Sequence, residues 1–167
     1  MAKKYINKFS IQLLENYTTA FSEKMGITPK DWKPTIGSYS SNVMDIDNNR
    51  RYIETNDYAH VMKYEDDCIK LYLTDYAESA NCVELQWIEI KERCKGRGTQ
   101  IMNLLLDTAD ELGIQIRVLP VDYDNSYMTE NQQKDIDYLK WLREWYKSFG
   151  FISYDWQCPA LMYYPNK

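Results

Sequence analysis

Between Phe9 and Lys24 the apolar side chains Leu13, Leu14, Tyr17, Ala20 and Phe21 recur every three or four residues. That spacing places them on one face of an amphipathic helix, which Ser10 can cap and which Gly26 and Pro29 terminate. From Thr28 to Asp57 the pattern dissolves: Lys33-Pro34, Gly37-Ser38 and the polar run Asp45 to Asn49 all read as turns. This stretch is expected to be irregular, with at most one short helix.

From Tyr58 the period changes. Tyr58 to Tyr64, Cys68 to Tyr76 and Cys82 to Ile90 are β-rich runs separated by Glu65-Asp66-Asp67 and by Ala77 to Asn81, which predicts an antiparallel meander. In the second run Ile69, Leu71 and Leu73 alternate with Lys70, Tyr72 and Thr74. A polar turn, Lys91 to Gly98, then leads into a helical pattern in which Ile101, Leu104, Leu105, Thr108 and Leu112 share a face, and Gly113 is its natural C-cap. The apolar run Ile114 to Leu119 follows. Strand, turn, helix and strand make a βαβ unit whose two strands must run parallel.

Val121 to Asp135 holds Asp122, Asp124, Asn125 and Asn131 with almost no apolar content and is expected to be a mobile loop. Ile136, Leu139, Leu142, Trp145, Tyr146 and Phe149 predict a last helix ended by Gly150, before short strands at Phe151 to Tyr154 and Ala160 to Tyr164. No repeat or linker divides the chain. The expected fold class is α+β: one domain, 1–167, with a mostly antiparallel sheet, a parallel βαβ core and flanking helices.

Composition narrows the function. The 167 residues carry a formal charge of −5, and the 20 Lys and Arg are scattered, so the cationic stripe of a nucleic-acid surface is missing. An acidic surface favours a cationic substrate such as an amine. The four cysteines, Cys68, Cys82, Cys94 and Cys158, form no C-x-x-C pair, the N-terminus lacks a secretory apolar stretch, and no window reaches the about 18 apolar residues of a membrane span. Reduced thiols, a cytoplasmic location and no membrane partner are therefore expected. No His, Cys or carboxylate cluster has metal-ligand spacing, so no metal is expected.

The chemistry concentrates before the second helix. A glycine-bearing turn between strand and helix leaves backbone N–H groups unpaired at the positive end of the helix dipole, a ready seat for a pyrophosphate. Gly96 and Gly98 allow close approach, and Lys95 and Arg97 add positive charge. A tight turn without a ligand is the alternative reading of the same residues.

Arg93-x-x-Gly96-x-Gly98 resembles the acetyl-CoA signature of the GNAT (GCN5-related N-acetyltransferase) superfamily. Gly98-Thr99-Gln100-Ile101-Met102-Asn103-Leu104-Leu105 is similar to the helix that follows it, Val83 to Ile88 to the family's fourth strand, and Tyr146-x-x-x-Gly150-Phe151 to the end of its last major helix. The resemblance covers residues 58 to 164 and leaves 1–57 as an atypical N-terminal part. The turn after Ile90 is about two residues shorter than usual and lacks the common proline. Leu139 stands where many relatives have an Asn. The resemblance implies transfer of an acetyl group from acetyl-CoA to a primary amine, with the cofactor held by Ile88, Ile90, Arg93, Cys94, Lys95, Gly96, Arg97, Gly98 and Thr99.

An amine with a pKa near about 10.4 must lose a proton before it attacks, so a base is required. Glu84 and Glu89 differ in parity along their strand and are expected to face opposite ways. Glu84 matches the family's acidic position and is the candidate base, with Glu89 left to solvent. Tyr146 matches the family's tyrosine and is the candidate acid for the departing thiolate, and a core aromatic is its alternative role. Cys94 is expected to be a spacer in the turn, and the lone His60 to be structural. The acceptor is a small-molecule or protein amine, with an aminoacyl-tRNA and a homodimer left open. The rival function is a catalytically inactive CoA-binding or protein-interaction scaffold, since fold alone does not assign chemistry.

Overall fold

A computed structural model describes residues 8–45, 50–76, 81–91, 94, 96–120, 132–153 and 159–166. Helix α1 (Lys8–Met25) is followed by a 3-10 turn at Pro29–Asp31 and by strands β1 (Lys33–Asp45), β2 (Arg50–Glu65), β3 (Ile69–Asp75) and β4 (Cys82–Ile90). Helix α2 (Arg97–Leu112), strand β5 (Gln115–Val118), helix α3 (Gln132–Ser148) and strands β6 (Ile152–Ser153) and β7 (Leu161–Tyr163) complete the order. The fold is mixed α+β. Among the described residues seven strands form one sheet in the order β1-β2-β3-β4-β5-β7-β6, in which β4 and β5 alone pair in parallel.

The expectation of an irregular segment from Thr28 to Asp57 is corrected. Residues 33–45 and 50–65 form a long antiparallel hairpin, in register from Lys33 against Lys63 to Asp45 against Arg50. Pro34 is tolerated because β1 is an edge strand, the register shifts between Gly37 and Tyr39 because β2 carries one extra residue there, and residues 46–49 of the expected polar turn lie outside the described residues. Only Pro29–Asp31 supplies the short helix. Of the expected loop at 121–135, residues 121–131 lie outside the described residues, and Gln132 to Asp135 already belong to α3.

One face of the sheet carries the core. Ile69, Leu71, Leu73, Val83, Leu85, Ile116 and Val118 are all buried and pack with Leu14, Tyr17 and Phe21 of α1 and Ile101, Met102 and Leu105 of α2. Burying each such side chain contributes roughly 1.5–3 kcal/mol. The two helices are also joined by a polar link, because the buried Tyr17 hydroxyl donates to the Leu105 carbonyl at 2.7 Å. Burial pushes the Tyr17 pKa up, with a smaller contribution from Tyr163, so the phenol stays a donor.

Strand β4 contains the feature that shapes the rest. Tyr72 faces Trp87 but Leu73 faces Leu85, so Gln86 is an extra residue and the ladder bulges there. The bulge resets parity. Glu84 lies opposite Thr74 and Glu89 opposite Lys70, and those two β3 residues share a face. The expectation that Glu84 and Glu89 point to opposite faces is therefore corrected: both lie on the face away from α1 and α2.

Candidate functional site

The parallel ladder between β4 and β5 runs from Cys82 beside Gln115 to Leu85 beside Val118. Beyond the Gln86 bulge, Trp87 to Ile90 pair with β3, and among the described residues none of them pairs with β5. The described parallel ladder ends at Leu85 and Val118, so Ile88 and Ile90 of β4 have no parallel partner among the described residues, and residues 121–131, which follow β5, lie outside them. An unpaired strand edge can receive an extended chain whose amides hydrogen-bond to it.

Helix α2 begins beside the end of β4. Gly96 is its N-cap at φ 84°, a left-handed conformation that glycine adopts without the Cβ penalty, and among the described residues no side chain makes a cap hydrogen bond there. Among those residues the first-turn amides of Arg97, Gly98 and Thr99 have no side-chain cap, and a Cβ on Gly96 would find nothing within 4 Å. Uncapped amides, dipole and open space together fit an anionic group. Gly98 serves the inner side of the same turn: a Cβ there would lie 3.3 Å from Ile90 Cγ1 and 3.7 Å from Trp145 Cζ2. The missing side chain lets α2 approach β4 and α3.

Arg97 donates to Gln100 Oε1 at 2.7 Å, so its guanidinium is held along its own helix. Thr99 is exposed in the first turn. Ile90, Gly96, Arg97, Gly98 and Thr99 are thus gathered in one place, whereas Arg93 and Lys95 lie outside the described residues.

The candidate acid and base are placed differently. Glu84 Oε2 accepts from Arg117 Nη1 at 2.6 Å, and the two side chains are 13% and 4% exposed. Arg117 also stacks over the Tyr76 ring at 4.8 Å. Tyr146 lies 4% exposed under α3, edge-on to Trp145 and Phe151. Phe151 in turn packs on Tyr163, whose hydroxyl donates to Asp110 of α2. Tyr146 therefore belongs to the core on the helix-covered face, and Glu84 belongs to the other. Sequence reasoning missed Arg117. The available signal was an arginine in the middle of the apolar run Ile114 to Leu119, which demands a buried partner.

The expectation of reduced thiols is corrected at one pair. Cys68 and Cys94 form a disulfide with a Cα–Cα distance of 5.8 Å across 26 residues of sequence. Spacing rules could not find it, because the cysteines are adjacent only through the β3–β4 register: Cys68 precedes β3, Cys94 follows β4, and Ile69 lies opposite Ile90. Cys94 is thus a covalent tie as well as a turn residue, and cysteine usage no longer argues for a reducing compartment. Cys82 is a buried thiol pushed up to about 12, by burial first and by Glu84 second.

His60 lies beside Asp75, Nδ1 to Oδ2 at 3.8 Å, while its backbone N–H donates to Asp75 Oδ1 at 2.9 Å. Among the described residues no group of three or more His, Cys, Asp and Glu is arranged to hold a metal, and no helix is long and apolar enough to cross a membrane. No family model matches the chain, and neither a curated protein nor a solved structure is significantly similar to it.

Proposed function

We propose that this chain is a GNAT-type acyl-CoA-dependent N-acetyltransferase acting on a primary amine, with a cationic acceptor favoured by the acidic surface. The observation that carries the reading is the α2 start at Gly96, where no described side chain makes a cap hydrogen bond, beside the end of β4 beyond its Gln86 bulge. In this reading the amides of Arg97, Gly98 and Thr99 receive the pyrophosphate of acetyl-CoA, and the edge of β4 at Ile88 and Ile90 receives the pantetheine arm. Arg93, Cys94, Lys95 and Gly96 complete the turn. Acetyl-CoA supplies the thioester. The amine nitrogen bonds to its carbonyl carbon, the C–S bond breaks, the nitrogen loses a proton and the thiolate gains one. Glu84 is the proposed proton acceptor and Tyr146 the proposed donor.

A second reading is favoured by one arrangement. Glu84 is already bonded to Arg117, and Tyr146 belongs to the opposite face of the sheet. Both features suit a scaffold that binds CoA, or a protein partner, without transferring the acetyl group.

Calorimetric titration with acetyl-CoA tests the shared part of the two readings. Thr99→Glu puts a carboxylate at the third residue of α2, where it supports the helix start and opposes a pyrophosphate. Micromolar binding lost in this folded variant supports the site, whereas no binding by the unaltered protein overturns both uses of CoA. Turnover with a panel of amines, lost in Glu84→Gln while affinity for acetyl-CoA persists, separates the enzyme from the inactive scaffold.

A further inference from the structure

We propose that the Cys68–Cys94 disulfide is a thiol-responsive lock that holds the α2 entry turn in its ligand-ready shape, and that thiol exchange opens it. As a device on the acyl-CoA site, the lock rests on the reading just given; as a mechanical tie, it stands on the geometry alone.

The two ends of the bond differ in how firmly they are held. On the Cys68 side, Asp66 Oδ1 accepts from the backbone N–H groups of Cys68 at 2.7 Å and Ile69 at 2.9 Å, and the Tyr64 hydroxyl donates to Asp66 Oδ2 at 3.0 Å. The Cys68 carbonyl also accepts from the Lys91 N–H at 3.0 Å. This end is part of the sheet. On the other side, the Cys94 N–H donates to the Lys91 carbonyl at 2.8 Å, and two residues later Gly96 turns left-handed and starts α2 with no cap hydrogen bond from a described side chain. The disulfide is therefore the covalent link between a hydrogen-bonded β-turn and a segment whose N-cap is a bare glycine.

Both cysteine residues are partly exposed, as thiol exchange requires. Cys82 is buried and offers no competing thiolate. The exchange balances with a dithiol as reductant. One of its thiolates attacks a cystine sulfur and expels the other cysteine as a thiolate, and its second thiol then resolves the mixed disulfide. Two cysteine thiols and one oxidised dithiol result. The β3–β4 ladder is closed by its own hydrogen bonds, so the loss falls on the helix entry: Cys94 and Gly96 regain freedom that a ligand must then remove, and affinity falls.

Amide hydrogen exchange and acetyl-CoA titration, each with and without dithiothreitol, test the lock. On reduction, the amides of Cys94 and Gln100, which donate to Lys91 O and Gly96 O, exchange at least about tenfold faster, while those of Ile114 and Gln115 do not change. Acetyl-CoA binds roughly tenfold more weakly to the reduced protein, and Cys68→Ser shows both effects without reductant. Unchanged exchange at Cys94 and Gln100 overturns the lock, as does faster exchange at Ile114 and Gln115, which would make the bond a general staple. Tighter binding to the reduced form overturns the assigned direction. If the turn responds but neither form binds acetyl-CoA, the ligand reading falls and the mechanical lock stands.

Discussion

Glu84 and Arg117 are register partners on the two parallel strands and form a 2.6 Å ion pair, with the arginine side chain only 4% exposed. A buried pair of this kind contributes little net stability against an apolar replacement, but breaking one side strands the other charge. Arg117→Ala is expected to cost about 3–5 kcal/mol in urea unfolding. Arg117→Met combined with Glu84→Leu is expected to recover most of that loss. A single variant that unfolds like the parent would show that the pair is solvated.

Acid is expected to weaken the turn before β3. Burial raises the Asp66 pKa, but hydrogen bonds from the Cys68 amide, the Tyr64 hydroxyl and the Ile69 amide outweigh it, and the net shift is downward. A carboxyl that titrates lower in the folded protein stabilises it fully above the unfolded value of about 3.9, and that contribution is lost as pH falls through the folded value. Asp66→Asn should lower Tm at neutral pH, with the gap to the parent closing below about pH 4. Tm measured across that acid range checks the sign, and a gap that widens in acid would contradict it.

The two glycines of the α2 entry turn are expected to fail for different reasons. Gly96→Ala meets no neighbour but is forced to φ 84°, so it should cost about 1–2 kcal/mol through strain alone. Gly98→Val adds bulk against Ile90 and Trp145 and should cost about 1–3 kcal/mol through overpacking. Ile90→Ala removes the Cγ1 that faces Gly98, so it should cost less in the Gly98→Val background than in the parent, and no less in the Gly96→Ala background. Denaturant midpoints of the parent, the three single variants and the two double variants decide the matter.

Helix α3 displays an aromatic ladder, Tyr138 on Trp141 on Trp145, with ring centroids 6.0 and 6.4 Å apart. Trp141 is 58% exposed, whereas Trp145 also packs edge-on to Tyr146 and Phe149 and reaches the Gly98 turn. Trp141→Ala should change stability by less than about 0.5 kcal/mol. Trp145→Ala should cost about 2–4 kcal/mol and loosen the start of α2, visible as faster exchange of the Gln100 amide. Equal losses at the two positions would mean that the ladder acts as one unit.

Much of the scaffold could be read along the chain because its cause is local. The three-and-four spacing of Leu14, Tyr17 and Phe21 requires a helix with one buried face, and the alternation of Ile69, Leu71 and Leu73 requires a strand. Gly113 and Gly150 end helices with the positive φ that glycine permits, at 66° and 98°. The order of strand, turn, helix and strand already forces β4 and β5 to be parallel. The proposed acetyltransferase chemistry rests in the sequence on a resemblance carried by Arg93, Gly96, Gly98 and Tyr146.

What tertiary structure alone decided depends on residues far apart in sequence. Pro34 and Gly37 look like breakers until β1 is seen to be an edge strand facing a bulge of β2, because edge position and register are properties of the sheet. Glu84 and Glu89 share a face only because Gln86 adds one residue against β3, and a single extra residue inverts every later parity. The pairing of Glu84 with Arg117 and of Cys68 with Cys94 follows from strand register, which no spacing along the chain encodes. Periodicity records which way each side chain points on its own element, whereas register determines which side chains meet.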